Sequence, residues 1–245
     1  MNRLRAAERP TLMLSFPHTN RLTLVPCAFL LGCAASVNDY LTEARRGDPE
    51  SIQDAIVSVG RLLREKEAQG IAYDAGDEQA IRYLAEVAEL GKDAVNRSSA
   101  LDSLSRLKRP KLTSLYAGRL EDKSWSVQLE AAKALTRNPS PEAVEPLVKR
   151  LKEELRTEVR LEILKALAAT GGDGAFKALL TAFLEGSGPY ADLRLTIYDG
   201  LRKLSQTQLA FDDAPGWRKL ARERFPDFEA KPAQALAPIP EQGVK

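Results

Sequence analysis

The chain has 245 residues, 44% of them apolar and 6% aromatic, with a formal net charge of +2. That length and apolar share suffice for a sizeable core, and few aromatics alongside abundant Leu, Ala, Glu, Lys and Arg point to helix, away from a sandwich or barrel. Residues 1–32 hold four arginines against Glu8, so the rest of the chain carries 32 basic and 33 acidic residues, a balance that gives no electrostatic ground to expect nucleic acid or an acidic substrate. Cys27, Cys33 and the single histidine, His18, all lie in the first 33 residues. Beyond Cys33 there is neither imidazole nor thiol, which excludes nucleophilic chemistry with a histidine base and the usual zinc sites from that stretch. An all-carboxylate metal site stays open, although no EF-hand spacing is present. With no phosphate loop, nucleophile elbow or metal signature, the expectation is a non-enzyme without metal or cofactor.

In chain order, a basic leader precedes an apolar run, Leu22 to Leu31. The run is too short to span a bilayer as a helix, which takes about 20 residues. Basic start, short apolar middle and small residues at the end are the layout of a secretory signal. Its last residues, Leu30, Leu31, Gly32 and Cys33, resemble the lipobox of bacterial lipoproteins, Leu31 being the less usual choice. In that family the cysteine thiol is joined to diacylglycerol, the chain is cut before it and the new amino group is acylated. The resemblance implies a signal peptide over 1–32, lipidation of Cys33 as the first mature residue, and a lipid-anchored linker over 33–38. Several acyl chains hold a protein far more firmly than one. Ala34 replaces the aspartate that retains family members in an inner membrane, which implies an outer-membrane address facing the periplasm. Met13 is an alternative start to Met1 that leaves this reading unchanged.

Further on, Asp48-Pro49-Glu50 reads as N-cap, N1 proline and first-turn acid, and Ser140-Pro141-Glu142 repeats that grammar. Gly70 to Asp77 reads as a loop, and Gly171-Gly172 and Gly186 to Pro189 as breaks. Four stretches write one helix again and again: Asn96 to Leu104, Val127 to Leu135, Val159 to Leu167 and Leu193 to Leu201. Their closing leucines lie 31, 32 and 34 residues apart, the period of stacked helix pairs. Relative positions 0, 4 and 8, such as Val127, Ala131 and Leu135, fall on one helical stripe. Position 2 is apolar in three copies, Leu129, Leu161 and Leu195, so the buried face is expected to be wide. Partner helices carry their own stripes over Leu112 to Leu120, Val144 to Leu151 and Phe176 to Leu184. Trp125 reads as an interface filler at a helix start.

Pro141-Glu-Ala-Val144 opening one helix, and Val159-Arg160 with small-residue spacing in the other, resemble HEAT-like repeats in the short form also seen in bilin-lyase-type proteins. The match covers roughly residues 78–205, more loosely 39–70; the Trp, Leu-Gly and Tyr landmarks of tetratricopeptide repeats are missing. The resemblance implies an all-α fold, a right-handed α-solenoid of about five antiparallel helix pairs (an ARM-type superhelix) over 39–205. In such arrays arginines at relative position 1, here Arg97, Arg160 and Arg194, bond to acids between adjacent hairpins, with Asp122, Glu158 and Asp192 as counterparts. Residues 206–225 depart from the repeat and read as a cap with a short helix from about 214. The composition of 226–245 suits a disordered tail.

Subtracting the buried positions leaves an outward row at relative positions 3, 6 and 10. It comprises Ser99, Asp102 and Arg106; Glu130, Lys133 and Arg137; Glu162 and Lys165; and Thr196, Asp199 and Lys203. The charged members are the candidate partner-binding residues, lying side by side on the inner curve that solenoids generally offer. Mixed signs suit a protein or peptide of complementary charge better than a polyanion. The expected function is a lipid-anchored scaffold for protein–protein interaction in the bacterial cell envelope. Alternatives are a bilin-lyase-like enzyme or enzyme helper, which rests on fold analogy alone, and a self-associating structural component.

Overall fold

The computed structural model describes residues 36–44, 47–107, 112–185 and 188–228. The chain divides into two units, Met1–Ala34 and Ala35–Lys245, and every described residue belongs to the second. The expected signal peptide, Cys33 and the tail beyond 228 lie outside the described residues.

Among the described residues there are eleven α-helices and no strand. They are α1 (Val37–Ala44), α2 (Pro49–Ala68), α3 (Ala75–Leu90), α4 (Ala94–Ser105), α5 (Thr113–Arg119) and α6 (Trp125–Arg137). After a 3-10 turn at Pro141–Ala143 come α7 (Val144–Glu153), α8 (Thr157–Thr170) and α9 (Gly172–Glu185). A 3-10 segment, Gly188–Leu193, leads into α10 (Arg194–Ser205), and α11 (Ala214–Arg224) follows. Consecutive helices pair as α1/α2, α3/α4, α5/α6, α7/α8 and α9/α10. The even helices also pack in sequence, α2 on α4 on α6 on α8 on α10, along much of their lengths. Odd helices touch their odd neighbours over only a few residues. Two layers of unequal tightness are what a curved stack produces, the tighter one lying on the inside of the bend. The fold is therefore an all-α solenoid of stacked helix pairs.

The seam between units is the stripe read from the repeats. Leu104, Leu135, Leu167 and Leu201, the four closing leucines, are all completely buried, as are Val127, Val159, Ile163 and Ile197. Each full burial of such a side chain stabilises by about 1.5–3 kcal/mol relative to exposure. Small residues bring successive units of the even layer together: a Cβ added at Gly60 of α2 would lie 2.7 Å from Ser103 Oγ of α4. Polar Asn96 opens α4 where a branched apolar residue recurs elsewhere; it is buried, and its side-chain amide donates to Pro49 O at 3.3 Å.

Local signals account for several helix ends. Asp48 caps α2, its carboxylate accepting from Ser51 N at 2.8 Å with Pro49 in the first turn. Gly171, at φ 71°, ends α8, and Gly172, at φ 78°, starts α9, backbone angles that cost side-chain-bearing residues energy. Several expectations require correction. Residues Gly70 to Asp77 are not all loop: Asp74 and Asp77 form a reciprocal capping box and α3 begins at Ala75. Ser140 makes no side-chain cap bond, and its proline opens a 3-10 turn ahead of α7. Helix α1 starts at Val37, inside the stretch expected as linker. Leu195 is 65% exposed, so the wide apolar face narrows at α10, and Trp125 is 46% exposed with the Arg156 guanidinium 5.8 Å from its ring centre. Phe228, expected in a disordered tail, is buried.

The cap is an aromatic plug. Trp217 of α11 is fully buried, donates Nε1–H to Ala210 O at 2.9 Å and packs 5.7 Å from Phe183. Tyr198 donates its hydroxyl to Leu209 O at 3.0 Å, and Phe211 meets it edge-on at 5.4 Å. These rings close the apolar end that the last hairpin would otherwise leave open, the role of a terminal cap in a repeat array.

Candidate functional site

Two polar systems run across the stacked units, one buried and one exposed. The buried one begins with Arg97 near the start of α4. Its Nε and Nη2 donate to the two Asp122 oxygens at 3.0 and 2.8 Å, and Nη1 donates to the carbonyls of Gly91 and Lys92 at 2.8 and 3.1 Å. Both side chains are nearly inaccessible, 4% and 5% exposed. Burial is the largest influence on Asp122 and raises its pKa, but Arg97, the Ser124 N–H and Arg119 together outweigh it, and the net shift is downward.

One unit further on, Gln128 stands where the ladder calls for arginine. Its amide donates to Asp122 O, and its carbonyl oxygen accepts from Arg150 Nη2 at 3.0 Å. Arg150, contributed by α7, donates through Nε to the buried Glu154 at 3.2 Å, and the other Glu154 oxygen caps Leu155 N and Arg156 N at 2.8 and 2.7 Å. Arg97, Asp122, Gln128, Arg150 and Glu154 thus form one seam linking α4, α6 and α7. The ladder then changes character. Glu158 and Asp192 are exposed and pair with nothing among the described residues. Arg160 lies 5.9 Å from the Tyr190 ring centre, and Arg194 lies 4.5 Å from that of Phe211 and 5.2 Å from that of Phe183. At Arg194, cation–π contact with Phe183 of α9 and Phe211 of the cap stands where an acid was expected.

The exposed system lies on the even layer. Asp102 of α4 pairs with Arg106 Nε at 3.0 Å and with Arg137 Nη1 of α6 at 3.1 Å. Arg137 Nη1 also reaches Glu130 at 2.9 Å and Ser105 Oγ at 2.7 Å, and Glu130 takes Lys133 at 3.3 Å. Five of the candidate residues, Asp102, Arg106, Glu130, Lys133 and Arg137, therefore form a single network across two units. For Asp102, burial raises the pKa most, and Arg106 with Arg137 reverses it to a net lowering. Glu162 and Lys165 of α8 make a separate pair at 2.7 Å. Asp199 and Lys203 of α10 are exposed and make no ion pair among the described residues. Ser99 accepts from Gln53 Nε2 of α2 at 2.9 Å, and Thr196 is half-buried.

Above this network lies a groove of about 230 Å³ between α2, α4 and α6, lined by Val57, Arg64, Ser98, Ser99, Asp102, Ser103 and Glu130. Arg64 is the residue that repeat comparison missed, because α2 precedes the four copied blocks. A second feature also escaped it. Val95, Trp125, Leu155 and Leu195, all substantially exposed, stand within two residues of the starts of α4, α6, α8 and α10.

Layered helix pairs with a polar seam inside and a charged groove outside define the class: an α-solenoid built from repeats. The family model for HEAT repeats matches residues 110–197, from just before α5 into α10, and over that stretch the chain is HEAT-like. Helices α1 to α4 extend the same stacking ahead of the matched segment. No curated protein is significantly similar to the chain. HEAT repeats generally serve as scaffolds for protein–protein interaction, not as enzymes.

Proposed function

We propose that the chain is a lipoprotein scaffold of the bacterial envelope, tethered through acyl chains on Cys33 and facing the periplasm from the outer membrane, with the even-layer face receiving a protein partner. The observation that carries the partner-binding part is the Asp102–Arg137–Glu130 network, which joins two units into one charged surface beside an open groove. Such a surface offers fixed charges in defined register, which favours specific protein encounter. Tethering rests on the sequence of Leu30 to Cys33. Among the described residues no helix is long and apolar enough to cross a membrane.

The test is twofold. Replacing Cys33→Ser should abolish incorporation of labelled palmitate and release the chain from the membrane fraction. Crosslinking in intact membranes should recover one protein in stoichiometric amount. Retention of the Cys33→Ser chain in membranes without label would remove the anchor from the account, and crosslinking that enriches no protein would remove the scaffold.

A further inference from the structure

We propose that the groove between α2, α4 and α6 seats an acidic side chain of the partner, with the Arg64 guanidinium as its counter-ion. This rests on reading the even layer as the partner-binding face, and it names what that face recognises.

Three observations converge. Arg64 lines the groove, half-buried, and makes no hydrogen bond or ion pair among the described residues. A planar fork of donors, held partly out of water and unmatched, is suited to a carboxylate, which it can bind with two parallel bonds. Next, the carboxylates of the groove are already committed: Asp102 to Arg106 and Arg137, Glu130 to Lys133 and Arg137. Arg106, Lys133 and Arg137, from outside the lining, thus neutralise both of its carboxylates, and Arg64 is the cation of the lining left without an anion among the described residues. Finally, Ser99 Oγ accepts from Gln53, which leaves its own proton for an incoming oxygen, and Val57, 53% exposed, offers an apolar wall beside it.

Size and charge pattern narrow the occupant. At about 230 Å³ the groove is smaller than sites for cofactors or drug-sized ligands, which run from about 300 Å³ upward. It holds one carboxylate with an apolar neighbour on Val57. Polyanions fit poorly, because Asp102, Glu130, Glu162 and Asp199 interrupt any continuous positive track. An acidic segment of a folded or extended protein, presenting Glu or Asp next to a small apolar residue, matches both.

The experiment uses the full chain in non-ionic detergent and fluorescence anisotropy of a labelled peptide alternating Glu and Ala, with a Gln–Ala peptide as control. Wild type should bind the Glu peptide and ignore the Gln peptide, with affinity falling as salt rises. Arg64→Ala and Arg64→Glu should each weaken binding by at least about tenfold, the loss of a charge-assisted pair. Arg64→Lys should recover part of it, and Arg82→Ala, at an exposed position on α3 of the odd layer, should change nothing. Circular dichroism of each variant checks that the fold is retained. Equal binding of the two peptides, no binding of either, indifference to Arg64→Glu, or tighter Arg64-dependent binding of single-stranded nucleic acid or phosphatidylglycerol vesicles would overturn the proposal. A crosslinked protein in membranes together with Arg64-independent peptide binding would sink this inference and leave the scaffold standing. Arg64-dependent peptide binding with no crosslinked protein would do the reverse.

Discussion

Replacing Asp122→Ala strips the acid from a guanidinium that has almost no access to water. Arg97 is 4% exposed and spends two of its four hydrogen bonds on Asp122; the Gly91 and Lys92 carbonyls, which carry no charge, would be all that remained. Breaking a buried pair from one side costs about 3–5 kcal/mol, against a typical domain stability of about 5–15 kcal/mol. With a urea slope of about 2 kcal/mol per molar, a 4 kcal/mol loss moves the midpoint down by about 2 M. Each unit of a solenoid contacts only its neighbours, so amide exchange should rise first in α3 to α6 and least in α10 and α11. Removing both partners as Arg97→Met with Asp122→Leu should restore most of the stability, since a well-packed apolar replacement of a buried pair is often neutral. A loss below about 1 kcal/mol for Asp122→Ala, the scale of an exposed pair, or a uniform rise in exchange along the whole array, would refute this reasoning.

Other outcomes follow from the same geometry. Asp122 and Glu154 are both held below their ordinary carboxylate pKa values, 3.8 and 4.5, because pairing and N–H donors outweigh the burial that raises them. Their contribution is therefore complete above those values and is lost as pH falls through the lower folded-state ones, so the urea midpoint should drop on acidification below about pH 4, and the drop should shrink in the Arg97→Met, Asp122→Leu double variant. Tyr116 is completely buried with a hydroxyl that has no partner among the described residues, and burial pushes its pKa up; Tyr116→Phe should stabilise by about 1 kcal/mol in urea unfolding, by removing an unsatisfied polar group. Gly60→Ala places a methyl 2.7 Å from Ser103 Oγ and 2.8 Å from its Cβ, so it should cost about 1–3 kcal/mol; Ser103→Gly, unlike Ser103→Ala, should relieve it in the double variant, because the Cβ contact persists in alanine.

The stacking was legible because it is written locally. A stripe of leucine and small residues, a capping Asp48 and a Gly171-Gly172 break each act within a few residues of themselves. The Arg97–Asp122 pair was legible through the resemblance to HEAT-like arrays, which implies an arginine at that repeat position bonded to an acid between adjacent hairpins. What escaped depends on side chains reaching between elements. Gln128 occupies an arginine's place, so the guanidinium arrives instead from Arg150 on another helix, at a position no repeat comparison would select. Glu154 looks like an ordinary surface acid and is buried because it caps two backbone amides. Arg194 meets Phe211 of the cap, outside the repeat, and Phe183 of α9 where an acid was expected. Among the candidate residues, the face could be read from helical spacing, whereas the gathering of Asp102, Glu130 and Arg137 into one network required the stagger between α4 and α6.

The central claim, that the even layer is the surface a protein partner occupies, is met most directly by site-specific photocrosslinking in intact membranes. A photoreactive residue would stand in turn at Lys133 and Lys165 on the even layer, and at Arg82 and Glu145, exposed positions on α3 and α7 of the odd layer. One protein band captured from Lys133 and Lys165, and absent from Arg82 and Glu145, is the predicted result. Capture of the same band from Arg82 and Glu145 alone would contradict it.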